Sequence, residues 1–512
     1  MDIRTMAGWI RAGIALFSLA AVAACGGGTD VAGGGTGGTG VGPVTGFGSV
    51  IVNGVRFDDT TIPAELVLDD AGRRKADLKA GMMVAVTGTV GDGTGRADDI
   101  EILRQVDGPL DDNGVDLAAG LLRIMGQQIR VDESTVYDNG IGGLADIATL
   151  QGANVAHPEI EVHGSPDNNG VIHATFVNKR ADDRLAGGEV QLRGAVAGTP
   201  AGTTFVIGSK TVNFGGITGG LPAGVIAGSF VEIKGSLAPD NVLVATSVAL
   251  EDPTRGQPAG DRAELVGFIG APVLTSGAGG SFVLLGPTGA QTVNWTVAAT
   301  VFEGGTQASI RTGTRIEAEG IRMADGSLAA AKLEFRRASN VRLEGQATAV
   351  TVTLDNLTVF GKTVVLNELT QFHDDRDNLK TFGPGNIAAG DFLKVSAYLD
   401  NTTTPAAIVA TRVTRIAPLA PSEHILQGPV DSFTDAAIGR YVTLGTLNVQ
   451  TAEGLTAFQN ATGGTISQAA FFQALADDQA AGRISVVRAR GAAPDGVSMA
   501  PIEVKFEPAG ED

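Results

Sequence analysis

Cysteine is almost absent from this sequence, which contains one among 512 residues. A lone thiol cannot form an internal disulfide, so the fold depends on packing and hydrogen bonds rather than on covalent crosslinks. Aromatic residues supply only 5% of the chain and charged residues 18%, whereas glycine contributes 73 residues. Abundant glycine beside many Val, Ile and Thr residues favours short strands joined by tight turns over helical bundles.

A long hydrophobic run is also missing near the amino terminus. The apolar stretch at residues 14–24 has 11 residues, whereas a helix needs about 20 to cross a bilayer. Arg4 and Arg11 precede this stretch, so the segment has the length and the charge distribution of a secretory signal peptide. We therefore predict that residues 1–24 are a signal peptide.

Small residues stand directly before the only cysteine, in the order Val22, Ala23, Ala24, Cys25. This order resembles the lipobox of bacterial lipoproteins, in which a diacylglyceryl group joins the cysteine thiol and cleavage makes that cysteine the first residue. Gly26 follows rather than Asp, which resembles lipoproteins of the outer membrane. We predict lipidation at Cys25 and anchoring to the outer membrane, on its periplasmic or its outer side. An ordinary signal peptide cleaved after Ala24, or a retained membrane anchor, is the alternative.

The residues that follow the signal peptide are rich in glycine and threonine. Residues 25–45 contain few apolar side chains to bury, and such compositions form flexible linkers. We predict that they carry the lipidated cysteine and act as a flexible tether.

One pattern returns six times beyond the tether. An apolar residue and a glycine lead into a strand with alternating apolar residues, as in MMVAVTG, SFVEIKG and TRIEAEG, and a turn such as GDG or ADG leads into the next strand. An aromatic residue that follows a threonine recurs at one position, as Tyr137, Phe302, Phe372 and Phe458, and we predict that these side chains fill cores. We place the repeats at residues 46–105, 106–181, 188–250, 262–337, 338–416 and 422–507.

The number of strands in each repeat predicts the fold class. Five strands with a turn or short helix between the third and the fourth favour an all-β chain of OB-like barrels. The connection in the sixth repeat reads as a helix from Ser467 to Ala480, with Phe471, Phe472 and Leu475 on one side. A chain of β-sandwich repeats is the alternative.

Two segments of the first repeat resemble a known family. GFGSVIVNGVRFDD at residues 46–59 and DLKAGMMVAVTGTV at residues 77–90 are similar to domain-of-unknown-function family 5666. That family occurs in exported bacterial proteins, often as tandem copies behind a lipoprotein signal. The resemblance implies tandem domains and export, and it implies no activity, catalytic residue or ligand. The first repeat differs by merging its opening strand into the tether, so we expect an incomplete barrel there.

Candidate sites for chemistry are few. His163 and His173 flank the SPDNNG hairpin, where two histidines on paired strands would suit a metal ion. Asp374 and Asp375 belong to an acidic cluster that would suit calcium. We favour exposed hairpin residues and a solvated loop at these two places, and we predict neither a metal nor another cofactor. No catalytic residue is predicted.

The balance of charge bears on partners. The chain has a formal net charge of −19, and removal of residues 1–24 leaves 35 basic and 55 acidic residues, or −20. Such a surface repels nucleic acid, so we expect none as a partner and expect ligands with neutral or cationic groups. Repetition favours a non-enzymatic scaffold that binds a protein or glycan of the envelope or the cell exterior. The alternative is an envelope enzyme, such as one acting on glycans, with a site between repeats.

Overall fold

A computed structural model describes residues 37–507, apart from residues 48, 70, 91–92, 118, 153–155, 185–187, 352–354, 368, 378, 380 and 402. The predicted signal peptide, the lipobox residues and Cys25 lie outside the described residues. The described part of the chain is mostly strand and has two helices, α1 (Leu144–Gln151) and α2 (Gln468–Ala480). Neither of them is long and apolar enough to cross a membrane.

Six units follow one another along the described residues, and we number them barrels 1 to 6. Barrel 1 contains β1 (Gly38–Gly46), β2 (Val50–Val52), β3 (Val55–Asp58), β4 (Met83–Val90) and β5 (Thr94–Ile102). Barrel 2 contains β6 (Val106–Asp116), β7 (Leu121–Ile124), β8 (Gln127–Arg130), β9 (Val136–Asp138), β10 (Glu159–Pro166) and β11 (Ile172–Ala181). Barrel 3 contains β12 (Val190–Ala201), β13 (Thr204–Ile207), β14 (Lys210–Asn213), β15 (Phe230–Leu237) and β16 (Leu243–Leu250).

The second half of the chain repeats this plan. Barrel 4 contains β17 (Arg262–Ser276), β18 (Gly279–Gly286), β19 (Gly289–Thr296), β20 (Val301–Glu303), β21 (Arg315–Arg322) and β22 (Leu328–Phe335). Barrel 5 contains β23 (Val341–Thr351), β24 (Asn356–Val359), β25 (Lys362–Val365), β26 (Gln371–Asp374), β27 (Phe392–Asp400) and β28 (Ala407–Ile416). Barrel 6 contains β29 (His424–Phe433), β30 (Arg440–Thr443), β31 (Leu447–Gln450), β32 (Ala457–Gln459), β33 (Thr465–Ile466), β34 (Val486–Gly491), β35 (Ser498–Met499) and β36 (Pro501–Glu507).

All six barrels close in the same strand order. In barrel 2, β6 pairs with β7, β7 with β8, β8 in parallel with β11, β11 with β10, and β10 again with β6. The other barrels repeat these pairings, and in barrel 6 the last strand is split into β35 and β36. This is the predicted OB-like barrel, and it is confirmed. The β-sandwich alternative is wrong, because the five strands of each barrel pair in a closed circle. The first to fifth strands of a barrel are these five in chain order, without the short strands β9, β20, β26, β32 and β33.

The opening strand of barrel 1 is complete. Two predictions are therefore wrong, namely that the first barrel is incomplete and that the flexible tether extends to residue 45. Residues 38–45 belong to β1, which is buried along its whole length, rather than to a flexible tether. The glycines there permit close packing, because a Cβ atom on Gly40 would lie 3.1 Å from the ring of Phe57 and one on Gly42 would lie 2.0 Å from Oδ1 of Asn53. Glycine-rich composition at this place therefore reflects contact with other strands.

The predicted helix of barrel 6 is present, and the predicted core residues differ in how deeply they are buried. Helix α2 is confirmed, and the Ser467 side chain accepts a hydrogen bond from the Ala470 N–H at its start. Its Phe471, Phe472 and Leu475 are buried. Of the four recurring aromatic residues, Phe458 is buried, whereas the three others are half-buried at the margins of the cores.

A β-bulge recurs between the fourth and fifth strands of every barrel. Five barrels have a glycine on the fourth strand at this point, and a Cβ atom on Gly320, for example, would lie 2.1 Å from the Ala329 carbonyl oxygen. A bulge leaves backbone groups outside the strand ladder. In five barrels a threonine hydroxyl donates to the carbonyl beside the bulge at 2.8–2.9 Å. These pairs are Thr61 with Ala97, Thr135 with Ala174, Thr300 with Ala330, Thr370 with Ala410 and Thr456 with Pro501.

The barrels associate in three pairs through their first strands. Strand β6 of barrel 2 pairs with β12 of barrel 3, and β23 of barrel 5 pairs with β29 of barrel 6, both antiparallel. Strand β1 of barrel 1 instead pairs in parallel with β17 of barrel 4. Barrels 2 and 3 share one hydrophobic core, as do barrels 5 and 6. The pair of barrels is therefore the packing unit of this fold.

The hydrogen bond at the bulge predicts the effect of a nearly isosteric substitution. Thr370→Val removes the hydroxyl that donates to the Ala410 carbonyl and accepts from the Asn367 N–H. We expect a loss of about 1–3 kcal/mol in the free energy of unfolding, because the carbonyl of the buried Ala410 loses its partner. The measurement is urea unfolding of the full chain. Thr363→Val, at an exposed position on β25, is the control and should change stability by less than about 0.5 kcal/mol. Equal effects of the two substitutions would show that the hydrogen bond of the Thr370 hydroxyl does not stabilise the fold.

Candidate functional site

A large cavity lies where barrels 2, 4, 5 and 6 meet. Its volume is about 1390 Å³, above the range of roughly 300–1,000 Å³ that is usual for small-molecule pockets. Exposed side chains such as Arg311 and Ile484 belong to its lining, so the cavity opens to solvent. Every wall comes from a different barrel, and the cavity exists only in the assembled chain.

The lining of this cavity is rich in cations, although the whole chain is acidic. Nine basic residues face five acidic ones there. The basic residues are Arg130, Arg311, Arg315, Arg336, Arg337, Arg342, Lys394, Arg488 and Lys505. The acidic residues are Asp132, Glu133, Asp167, Asp431 and Glu507. The local charge of the cavity is therefore opposite in sign to that of the chain, and the expectation of a neutral or cationic ligand, which rests on the net charge, does not apply to this cavity.

One wall of the cavity is an ionic contact between barrels 2 and 5. The Glu133 carboxylate lies 3.3 Å from the Arg342 guanidinium, and the Ser396 hydroxyl donates to the Glu133 carbonyl at 2.6 Å. Burial alone would raise the pKa of Glu133, but the charges of Arg342, Lys394 and Arg488 outweigh burial and lower it. Glu133 therefore stays ionised and joins barrel 2 to barrels 5 and 6.

Lys394 and Arg315 both belong to the lining of the cavity. Burial, with the nearby charge of Arg342, lowers the pKa of Lys394 to about 8. Burial also lowers the pKa of Arg315, and the charge of Asp132 opposes that effect. Because Asp132 and Glu133 are consecutive, both cations lie near one short segment of barrel 2.

The two histidines considered as metal ligands have separate partners. Nε2 of His163 lies 2.6 Å from Oε1 of Glu161, and its Nδ1 accepts a hydrogen bond from the Met83 N–H of barrel 1 at 3.2 Å. Nε2 of His173 lies 3.2 Å from Oδ2 of Asp167. The favoured interpretation of two exposed residues is wrong for His163, which barrel 1 buries completely.

The two aspartates considered as calcium ligands are also separated by their contacts. Asp374 is buried, and the Arg415 guanidinium donates to both of its oxygens at 2.8 and 2.6 Å. Burial would raise the pKa of Asp374, but the hydrogen bonds from Arg415 and from backbone N–H groups lower it to about 2. Asp375 is exposed and lies 2.8 Å from His373. A solvated loop is thus the wrong interpretation for Asp374.

In the residues that the structure describes, no three His, Cys, Asp or Glu side chains are grouped as a metal ion would require. The cations of the cavity were not among the candidates taken from the sequence. A signal for them exists in the repeats, because the third residue of the fourth strand is glutamate in barrels 2, 3 and 4. In barrels 5 and 6 that residue is Lys394 and Arg488.

The contact at His163 predicts how stability depends on pH. Since Nδ1 accepts the Met83 N–H, the ring is neutral and donates through Nε2 to Glu161. Burial lowers the pKa of His163, against the opposing hydrogen bond to Glu161. A proton therefore binds more readily to the unfolded chain once the pH falls below the ordinary value of 6.5. The free energy of unfolding should fall with pH in that range.

His163→Gln tests this dependence. It should weaken the fall in stability between about pH 7.5 and 5.5, measured by urea unfolding, because it removes the group that titrates there. Phe176→Leu is the control, since Phe176 is buried against the His163 ring but carries no proton to titrate. It should lower stability equally at each pH. An unchanged slope in His163→Gln would show that another group causes the dependence.

Comparison with known families agrees with this arrangement. The family model of a domain of unknown function, DUF5666, matches residues 41–101, 107–178, 187–249, 267–334 and 344–414. These segments correspond to barrels 1 to 5, and barrel 6 has the same strand order beyond them. No curated protein matches the chain. Because the matched segments cover more than half of the sequence and each coincides with one barrel, the chain belongs to the DUF5666 family.

Proposed function

We propose that this chain is a non-enzymatic scaffold, anchored to the outer membrane through Cys25, that binds a ligand in the cavity between its barrels. The cavity is the observation that carries the proposal. Ligand sites tend to form where domains meet, and here four barrels each contribute a wall. The ligand is a protein segment or a glycan of the cell envelope or the exterior.

The position of barrel 1 supports a role close to the membrane. Strand β1 begins at Gly38, so lipidation at Cys25 would hold the first barrel within roughly 45 Å of the lipid, even if the intervening residues were fully extended. A ligand would then be held near the membrane surface, on whichever side the lipid anchors the chain.

An envelope enzyme with its site between the barrels is the second candidate. Lys394 favours it, since a lysine with a pKa of about 8 in a cavity is typical of functional sites. We prefer binding because the acidic groups that influence Lys394, Glu133 and Glu344, are already engaged. Arg342 lies 3.3 Å from Glu133 and 2.5 Å from Glu344. Carboxylates held in this way serve the contact between barrels better than they serve proton transfer.

The anchor can be tested by Cys25→Ser. We expect the substitution to abolish metabolic lipid labelling and to move the protein from the membrane to the soluble fraction, because the thioether to the lipid requires the thiol. Thr29→Ser, a few residues later in the predicted tether, is the control and should retain both the label and the membrane fraction. Lipid labelling that persists in Cys25→Ser would refute the proposed anchor.

The binding site can be tested by photo-crosslinking in intact cells. A photoreactive residue in place of Thr312, an exposed residue of the cavity lining, should give a discrete crosslinked product. The same residue in place of Thr246, which is exposed on β16 of barrel 3 and outside the lining, is the matched control. Equal products from both positions, or none from Thr312, would contradict binding in the cavity.

A further inference from the structure

Two cations of the cavity lining, Arg315 and Lys394, have no carboxylate partner among the described residues, and a role in stabilising the fold does not explain them. In the described part of the chain, no carboxylate lies within 4.0 Å of the Arg315 guanidinium or of the Lys394 ammonium. Four other arginines of the lining are paired with carboxylates, namely Arg336, Arg337, Arg342 and Arg488. A partly buried cation with no partner is costly. A structural role alone would favour an apolar or a paired residue at both positions.

The position of Arg315 can be compared with the equivalent position in the other five barrels. Arg315 is the first residue of the fourth strand of its barrel, paired with Phe268 of the first strand. The equivalent residues are Met83, Glu159, Phe230, Phe392 and Val486 in the other barrels. Four of these five are apolar, so the barrel fold does not require an arginine there.

Lys394 lies two residues further along the fourth strand of its own barrel. Barrels 2, 3 and 4 have glutamates at this position, and each is bound by an arginine. These glutamates are Glu161, Glu232 and Glu317. The sign is reversed only in barrels 5 and 6, by Lys394 and Arg488, and both residues line the cavity. Two repeat positions have thus become cationic where their side chains face the same space.

We propose that the cavity binds an acidic oligosaccharide, whose carboxylate groups pair with Arg315 and Lys394. This inference rests on the proposed function and names the ligand class of the same site. Guanidinium and ammonium groups form strong charge-assisted hydrogen bonds with carboxylates. A ligand with carboxylate groups would provide the partners that these two cations lack among the described residues.

The uncharged part of the lining suits the hydroxyl groups of a sugar chain. Amides and hydroxyls are distributed around the cavity and offer both donors and acceptors. They include Asn168, Asn169, Ser309, Thr312, Asn340, Asn401, Gln427 and Gln459. The volume of about 1390 Å³ exceeds what one small molecule fills and accommodates several linked sugar rings.

A nucleic acid would also be anionic, but the cavity does not suit one. Single strands are bound on successive exposed aromatic rings that stack with the bases. The aromatic residues of the lining are few, and Phe268 is already packed on His173 at 4.3 Å between ring centroids. The net charge of the chain, −19, further opposes a long polyanion outside the cavity.

The test uses the full-length protein and calorimetric titration with a uronic-acid tetrasaccharide. Its carboxyl-reduced counterpart, which has the same rings and no charge, and inorganic phosphate are the comparison ligands. We expect the uronate to bind, with affinity that decreases as salt is added, and the reduced sugar not to bind measurably. Arg315→Gln and Lys394→Gln should each weaken binding about tenfold or more, because each removes a charge-assisted hydrogen bond. Melting temperatures of both variants check that the fold is intact.

Arg123→Gln is the matched control. Arg123 is exposed on β7, outside the cavity lining, so its replacement should leave the affinity unchanged. Uronate binding that is lost equally in all three variants, or in none of them, would overturn the assignment, as would phosphate binding as tight as that of the uronate.

Failure of this inference is distinguishable from failure of the proposed function. If the reduced sugar binds as well as the uronate, and a crosslink forms at Thr312, the cavity is a binding site but the assigned charge of its ligand is wrong. If neither sugar binds and Thr312 gives no crosslinked product, both the acidic-oligosaccharide assignment and the proposed function fall.

Discussion

The first strand of each barrel has backbone N–H and C=O groups along one edge that no described strand of its own barrel pairs with. The way the six barrels associate follows from how these groups are paired. The second strands have only three or four residues in five of the barrels, so they cover just the carboxyl-terminal part of the first strand. An open edge exposes N–H and C=O groups and invites uncontrolled pairing. Here the first strand of another barrel fills it.

Pairing of barrel 1 with barrel 4 has a further consequence for barrel 2, which the chain places between them. Barrel 2 contacts barrel 1 through His163, barrel 4 through His173 and barrel 5 through Glu133. Because barrel 2 contacts these three barrels, residues of barrels 4, 5 and 6 come together around its strand β8 and the residues that follow it. The cavity with its cations arises at this meeting point, so the same pairing that satisfies strand edges also creates the site.

Much of the fold was predictable because its signals are local. Alternating apolar residues and glycine turns indicated the strands, and the recurring threonine marks a hydrogen bond within its own barrel. The prediction for residues 38–45 was wrong because the same composition suits a flexible linker and a strand that must approach Phe57 closely. His163 and Asp374 were interpreted as exposed because their burial depends on contacts with residues far away in the sequence.

The sequence by itself determined the number of barrels, the number of strands that form each of them and the helix of barrel 6, since each depends on turns and periodicities within one repeat. Only the tertiary structure decided that barrel 1 pairs with barrel 4 and that Arg315, Lys394 and Arg488 face one cavity. The physical reason is that charges interact through space and weaken with distance. A net charge of −19 gives only the balance between the basic and acidic residues of the chain, and the packing of the barrels determines which of them meet.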